Sequence, residues 1–230
     1  MTNSVRVQLY GGGIDSVCIA HLWKPDIKLF CNLGTAENPH ELRRAMEAGC
    51  LIDQRLYLGD QVLANKILPG RNLLLVAIAS FYGNNIMLGS TAGDTTHDKD
   101  ARFLELSSLL LDHILGHDPL KAKPFHAAGL NVWAPAGLLT KAELVKRYLA
   151  ADGDPQALLN SRSCYGAHEE ECGECRSCVR KYVALTLAGL KPKFLVKPDL
   201  HKALAYAQQR DRGPETLDIQ KAIDYEHSQS

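Results

Sequence analysis

Short apolar runs with strand character alternate with helical stretches as far as Val145, and a chain ordered this way builds a parallel sheet covered by helices on both faces. Val5 to Tyr10 reads as the first strand, followed at once by Gly11-Gly12-Gly13 and a helix from about Asp15 to Trp23, which Pro25 stops. Further strands are expected at Ile27 to Asn32, Gln54 to Leu58, Asn85 to Gly89 and Leu130 to Trp133. The helices between them are expected at Pro39 to Ala48, Arg71 to Tyr82 and Ala101 to Leu115, the last with Leu106, Leu109 and Leu110 at helical spacing. Thr140 opens one more helix, because Thr140 and Glu143 form the S/T-x-x-E capping box. The fold class is therefore α/β, a doubly wound, Rossmann-like parallel sheet.

From about Pro155 the pattern changes. A cysteine-rich segment precedes a helix near Cys178 to Ala188, and two modest helical patterns follow at Pro198 to Gln209 and Pro214 to Tyr225, with Glu226 to Ser230 expected to fray. Residues 1–155 thus read as an α/β core, and 156–230 as a cysteine-rich segment with C-terminal helices on the same compact body. The 230 residues fit one large domain or a core with a small module. Hydrophobic residues at 46% and charged ones at 23% exclude fibrous, collagen-like and wholly disordered chains. No apolar run approaches the roughly 20 residues that span a bilayer, so no membrane partner is expected. Twenty-six basic residues balance 26 acidic ones. Without a strong positive field a nucleic-acid partner is not expected, whereas a small anion held by local geometry is compatible.

Seven cysteines without a recognisable secretory signal point to a reducing compartment, the cytoplasm. Cys18, Cys31 and Cys50 are scattered and read as small buried hydrophobes. Cys164, Cys172, Cys175 and Cys178 are clustered, the last three as C-x-x-C-x-x-C, which is the spacing of a four-thiolate structural zinc site. Gly173 lets the chain fold back there, and Arg176 and Arg180 are expected to offset the thiolate charge. A redox pair is the competing reading, and His168 a rival ligand that four thiolates make unnecessary. The Gly11-Gly12-Gly13-Ile14-Asp15-Ser16 loop stands where parallel sheets bind ligands, beyond a strand's C-terminal end. Its glycines let backbone amides approach a phosphate group, Ser16 adds a hydroxyl, and the next helix adds its positive end. It matches neither the Walker pattern nor G-x-G-x-x-G, and the plain alternative is a strand-to-helix turn with no ligand.

The loop resembles the S-G-G-x-D-S signature of the N-type ATP pyrophosphatases, with Gly11 in place of the first serine. Pro69-Gly70-Arg71-Asn72, Gly89 to Arg102, Leu139 to Val145 and Ser163-Cys164-Tyr165 follow in order before the cysteine cluster. Together they resemble the 7-cyano-7-deazaguanine synthases, the QueC family, over about Val5 to Leu187. The resemblance implies an adenine-nucleotide alpha hydrolase-like fold and a cytoplasmic carbon–nitrogen ligase using ATP, Mg2+ and a structural Zn2+. It would activate 7-carboxy-7-deazaguanine and take it with ammonia through the amide to the nitrile preQ0. Gly11, Gly12, Gly13, Asp15, Ser16, Arg71 and Asn72 would bind the nucleotide. Ser16, Arg71, Asp94, Asp100 and Arg102 would serve catalysis, while Lys141 and Ser163 match family positions of less defined role. The substrate side departs from the family at His97-Asp98-Lys99-Asp100-Ala101-Arg102, which lacks its tyrosine and cysteine, and at Gly34-Thr35-Ala36-Glu37. Those departures keep two alternatives open: an enzyme that stops at the amide, and a non-catalytic zinc-containing interaction module. A tRNA-thiolating enzyme would need a reactive cysteine near the nucleotide and a basic surface. A second copy of the chain, a homodimer, is a partner the appended knuckle and tail could dock.

Overall fold

The structure is a computed structural model that describes residues 4–35, 38–63, 68–94, 96–116, 123–166, 169–210 and 213–229. Ala36, Glu37 and His168 lie outside them. The strands are β1 (Arg6–Leu9), β2 (Ile27–Cys31), β3 (Leu51–Asp53), β4 (Asn85–Met87) and β5 (Asn131–Trp133). They form one parallel sheet in the order β3-β2-β1-β4-β5. Val7 pairs with Ile27 on one side and Ile86 on the other, so the first strand ends up central. Val7, Gln8 and Leu9 are buried in succession, as a strand with both faces covered must be. After β3 the chain returns to the far side of β1, and this reversal of strand order makes the C-terminal end of β1 a switch point, where such sheets take ligands.

The helices are α1 (Ile14–Trp23), α2 (Asn38–Glu47), α3 (Arg71–Ala79), α4 (Ala101–Gly116), α5 (Lys141–Ala150), α6 (Pro155–Asn160), α7 (Arg176–Thr186), α8 (Leu200–Gln209) and α9 (Gly213–Gln229). The chain packs as two compact units. One comprises the residues up to 11, 23–90 and 94–135, and so holds the sheet with α2, α3 and α4. Its core joins Val7, Leu29, Val76, Ala79, Ile86 and Val132. The other comprises 12–22, 91–93 and 136–230, and holds α5 to α9 with nearly all of α1. Val179, Val183, Leu200, Ile219 and Ile223 form a core within it.

Two expectations are corrected. The third strand is Leu51–Asp53, not Gln54 to Leu58, because Leu51, Ile52 and Asp53 are the residues that take register with Leu29, Phe30 and Cys31. Asp53 then ends the strand by turning its carboxylate onto the Arg55 amide at 3.0 Å. The C-terminus does not fray at Glu226, since α9 runs to Gln229 and Glu226 accepts from the Tyr182 hydroxyl and from Lys197. Residues 155–160 form α6, which Asp154 caps by accepting from the Gln156 amide at 2.9 Å with proline at the first helical position. Leu106, Leu109 and Leu110 do lie in α4 but are exposed, the buried positions being Ser107, Leu111 and Leu115.

The capping box of α5 is present in both directions. Thr140 Oγ1 accepts from the Glu143 amide at 3.2 Å and Glu143 Oε2 from the Thr140 amide at 2.8 Å. Thr140→Ala should lower stability by about 1 kcal/mol, read as a reduced urea midpoint with an unchanged slope.

Candidate functional site

The glycine loop is built from its backbone. Gly12 has φ 69°, a left-handed turn that a side chain would strain, and this turn swings the chain from β1 into α1. The first helical bond runs from the Val17 amide to the Gly13 carbonyl at 3.2 Å. The amides of Ile14, Asp15 and Ser16 precede it and face out of the helix's positive end. Ser16 is buried. A β-carbon on Gly11 would meet nothing within 4 Å, so packing does not exclude a serine there.

Two distant segments converge on this loop. Lys141, the first residue of α5, forms an ion pair with Asp15, with 11% and 21% of the two side chains exposed. Lys141 is thus largely enclosed rather than spread on the helix surface. On the other side, the Arg162 amide donates to the Gly12 carbonyl at 2.9 Å. A β-carbon on Gly13 would stand 3.4 Å from the Arg162 carbonyl oxygen and 3.6 Å from Ser163 Oγ. The loop therefore brings together backbone donors, one ammonium and two hydroxyl side chains, the donor set that an oxyanion of a phosphate requires.

The four clustered cysteines belong to the same unit. Their sulfur atoms all lie within 4.8 Å of one another, with separations of 3.6 Å (Cys164–Cys172), 3.9 Å (Cys172–Cys178) and 3.4 Å (Cys175–Cys178). A tetrahedral shell with metal–sulfur bonds of about 2.3 Å has edges of about 3.8 Å, so the thiols fit one small ion. Gly173 makes the turn possible: its φ is 82°, and a β-carbon would fall 1.7 Å from the Val196 carbonyl oxygen. Backbone amides of Gly166 and Cys175 donate to Cys164 and Cys172 sulfur at 3.2 and 3.4 Å. The hydrogen bond between Cys175 and Cys178 pulls the Cys175 thiol down to about 5 and pushes Cys178 up, while burial raises Cys164. A bound cation would take all four as thiolates. Arg176 donates to Glu215 through two nitrogens and to the Gly93 carbonyl, and Arg180 donates to Thr91.

In the unit that holds the sheet, Arg71 is exposed at the start of α3 and Asn72 is buried. Asn72 Nδ2 donates to Asp98 Oδ2 at 2.9 Å and to the Asp98 carbonyl at 3.2 Å, so it holds the 97–99 turn. Asp94 lies 4.0 Å from Lys99. Asp100 Oδ1 accepts from the Phe103 amide at 2.8 Å, which caps α4 and lowers its pKa. Arg102 pairs with Glu105 on the exposed face of α4. Asn72, Asp94, Asp98 and Lys99 are thus gathered around one turn, and Arg102 is engaged separately.

Of the scattered cysteines, Cys18 and Cys31 are buried and Cys50 is half-buried. Burial pushes Cys50 up to about 11 and Cys31 to about 12, and raises Cys18 further. Arg162, Glu171 and Lys181 were not singled out by sequence. The signal available for the first two was adjacency, to Ser163-Cys164-Tyr165 and to Cys172.

A parallel sheet with a glycine loop after its first strand and four cysteines placed to hold a metal ion define a class of α/β protein. The family model described as "Queuosine biosynthesis protein QueC" matches residues 42–189, and the chain belongs to that family. The glycine loop precedes the matched stretch. Curated relatives include the 7-cyano-7-deazaguanine synthase of Methanobrevibacter smithii, 32% identical over 130 residues, covering 54% of this chain and 51% of that one. The synthase of Prochlorococcus marinus is 30% identical over 138 residues, covering 56% and 57%. The match thus spans about half the length of these relatives. Among solved structures, a U34-tRNA thiolase from Methanococcus maripaludis with its [4Fe-4S] cluster aligns with TM-score 0.42 and 13% identity, covering 99% of this chain and 73% of that one. No helix among the described residues is long and apolar enough to cross a membrane.

Elemental analysis should find one divalent metal ion per chain. Cys178→Ser should reduce that content more than tenfold, because its sulfur is the fully buried corner of the site.

Proposed function

We propose that this chain is an ATP-dependent carbon–nitrogen ligase that converts 7-carboxy-7-deazaguanine and ammonia to 7-cyano-7-deazaguanine, one ATP activating the carboxylate for amide formation and a second activating the amide oxygen, which leaves with AMP. The observation that carries the reading is the meeting of three family motifs at one turn. Asp15 of the loop pairs with Lys141 of the T-K-A-E segment, and Ser163 of S-C-Y lies against Gly13.

The chemistry needs such a place. A carboxylate resists nucleophilic attack because negative charge must build on oxygens that already carry it. Adenylation exchanges the oxide leaving group for a good one, and the developing charge falls on phosphate oxygens. The amides at the start of α1 and the Ser16 hydroxyl would hold the pyrophosphate, with Gly11, Gly12 and Gly13 letting the backbone come close. Lys141 would donate to the departing pyrophosphate, its ammonium kept in position by Asp15. Ser163 would orient an oxygen beside Gly13. Magnesium, arriving with the nucleotide, would screen phosphate charge, with Asp15 as the loop's own carboxylate. Arg71, Asp94 and Arg102 are proposed to contact nucleotide or substrate. Asn72 and Asp100 would act through what they hold, the 97–99 turn and the first turn of α4.

Zinc is the proposed ion of the knuckle. Four thiolates at tetrahedral spacing leave no open position, so its contribution is structural. A four-iron cluster interposes its own core between the cysteines, which these short sulfur separations do not accommodate. The raised thiols of Cys18, Cys31 and Cys50 weigh against thiolation chemistry. An enzyme that stops at the amide is the second reading, favoured by Ala101, which removes any thiol from the substrate segment.

The test is mass spectrometry of the products from 7-carboxy-7-deazaguanine, ATP and ammonium, together with acid-dependent pyrophosphate release. Nitrile is the expected product. Amide alone supports the second reading, and no acid-dependent pyrophosphate removes both. Lys141→Ala should lower kcat for pyrophosphate release by about 100-fold, the usual effect of deleting one donor to a developing oxyanion.

A further inference from the structure

One residue outside every recognised motif joins the metal knuckle to the glycine loop. Arg162 is 7% exposed. Its guanidinium donates to the Glu169 carbonyl at 2.8 Å and to the Gly166 carbonyl at 2.7 Å, both in the stretch between the first two thiolate ligands. Its own amide donates to the Gly12 carbonyl, and its carbonyl oxygen lies against Gly13. The next two amides, of Ser163 and Cys164, donate to Glu171 Oε1 at 2.6 and 3.1 Å, and Glu171 precedes Cys172.

We propose that Arg162 is a positioning residue that couples closure of the thiolate site to the conformation of the Gly12-Gly13 peptides, so that metal occupancy and the loop's affinity for phosphate oxygens rise together. The physical step is short. Without a cation, the bonds that draw the four sulfur atoms to one centre are absent, and the segment carrying Cys164 is released from Cys172. The Gly166 and Glu169 carbonyls then leave the guanidinium. The buried guanidinium is tied to those carbonyls by two hydrogen bonds, so Arg162 follows them and the Gly12 carbonyl loses its donor. Linkage is reciprocal, so an anion that fixes the loop must also slow metal loss. That the anion is ATP rests on the function proposed above; the coupling itself does not.

The experiment is amide hydrogen exchange of the full chain over residues 12–17, in metal-loaded protein, chelator-stripped protein and metal-loaded Arg162→Met and Arg162→Lys. Metal removal is expected to speed exchange at 12–17 about tenfold while α8 and α9 keep their protection. Loaded R162M should show the same loss with its metal still bound, and R162K, which can serve one carbonyl, should be intermediate. If R162M fails to fold, R162K decides. If stripping deprotects α8 and α9 as well, the loaded variants decide. Unchanged protection at 12–17 in a variant that retains its metal overturns the proposal. A second arm measures metal transfer to a chelator with and without ATP, which should be slowed about tenfold in the unsubstituted chain and little in R162M. Coupling by exchange without any binding of ATP defeats the nucleotide reading alone. ATP that binds without slowing metal transfer defeats the coupling alone.

Discussion

One largely enclosed carboxylate fixes the segment on which the glycine loop leans. Glu171 receives the amides of Ser163 and Cys164 on one oxygen and the Lys181 ammonium on the other. Lys181, 1% exposed, also donates to the Ser161 carbonyl, so the run from Ser161 to Cys164 is held from both sides. Burying such a pair carries a desolvation penalty that Coulomb attraction alone does not reliably offset. Here the additional backbone partners account for the remaining polar valences, and the return is geometric specificity. Lys181 sits three residues after Cys178 on α7, on the same helix face. One helix therefore carries both a corner of the thiolate site and the anchor of the segment that reaches the glycine loop.

The two ionic devices around the loop differ in kind. Glu171–Lys181 is enclosed and saturated with backbone partners, which suits a fixed strut. Asp15–Lys141 is less enclosed, with 21% of the Asp15 side chain reaching solvent. Its ammonium stands at the positive end of α1, where a phosphate oxygen would compete with Asp15 for it. That difference separates a group that holds structure from one suited to exchange partners. The space around Gly11 is open, since a β-carbon there would meet nothing within 4 Å.

Much of this architecture could be read from the chain. Alternation located all five strands to within a few residues except β3, because Leu51–Asp53 is defined by its register with β2 and by the Asp53 turn, and pairing is not a local property. Thr140 and Glu143 were legible because a capping box is local in sequence. The fraying expected at Glu226 failed for the opposite reason, a tertiary contact from Tyr182 and Lys197. The glycine loop and the four cysteines were equally plain. Lys141 could not be assigned from spacing, because its partner is 126 residues away. Arg162 carried no signal beyond adjacency, since its work is done through main-chain carbonyls that leave no pattern in side-chain identity.

The substrate-facing departures acquire a physical meaning from the polar bonding of the 94–102 segment. Asn72 is committed to Asp98, Asp100 to the first turn of α4, and Arg102 to Glu105. Replacing tyrosine and cysteine by charged residues and alanine has thus produced a turn stabilised by its own hydrogen bonds and ion pairs. A turn organised in this way presents carboxylate and ammonium groups where the family presents a ring and a thiol. In the proposed function phosphate chemistry rests on main-chain amides and on Lys141, which that change leaves in place. Under the same proposal, recognition of the base would not share that insulation, since it would depend on which side chains the turn displays. Divergence within this family is therefore expected to alter what is activated sooner than how it is activated.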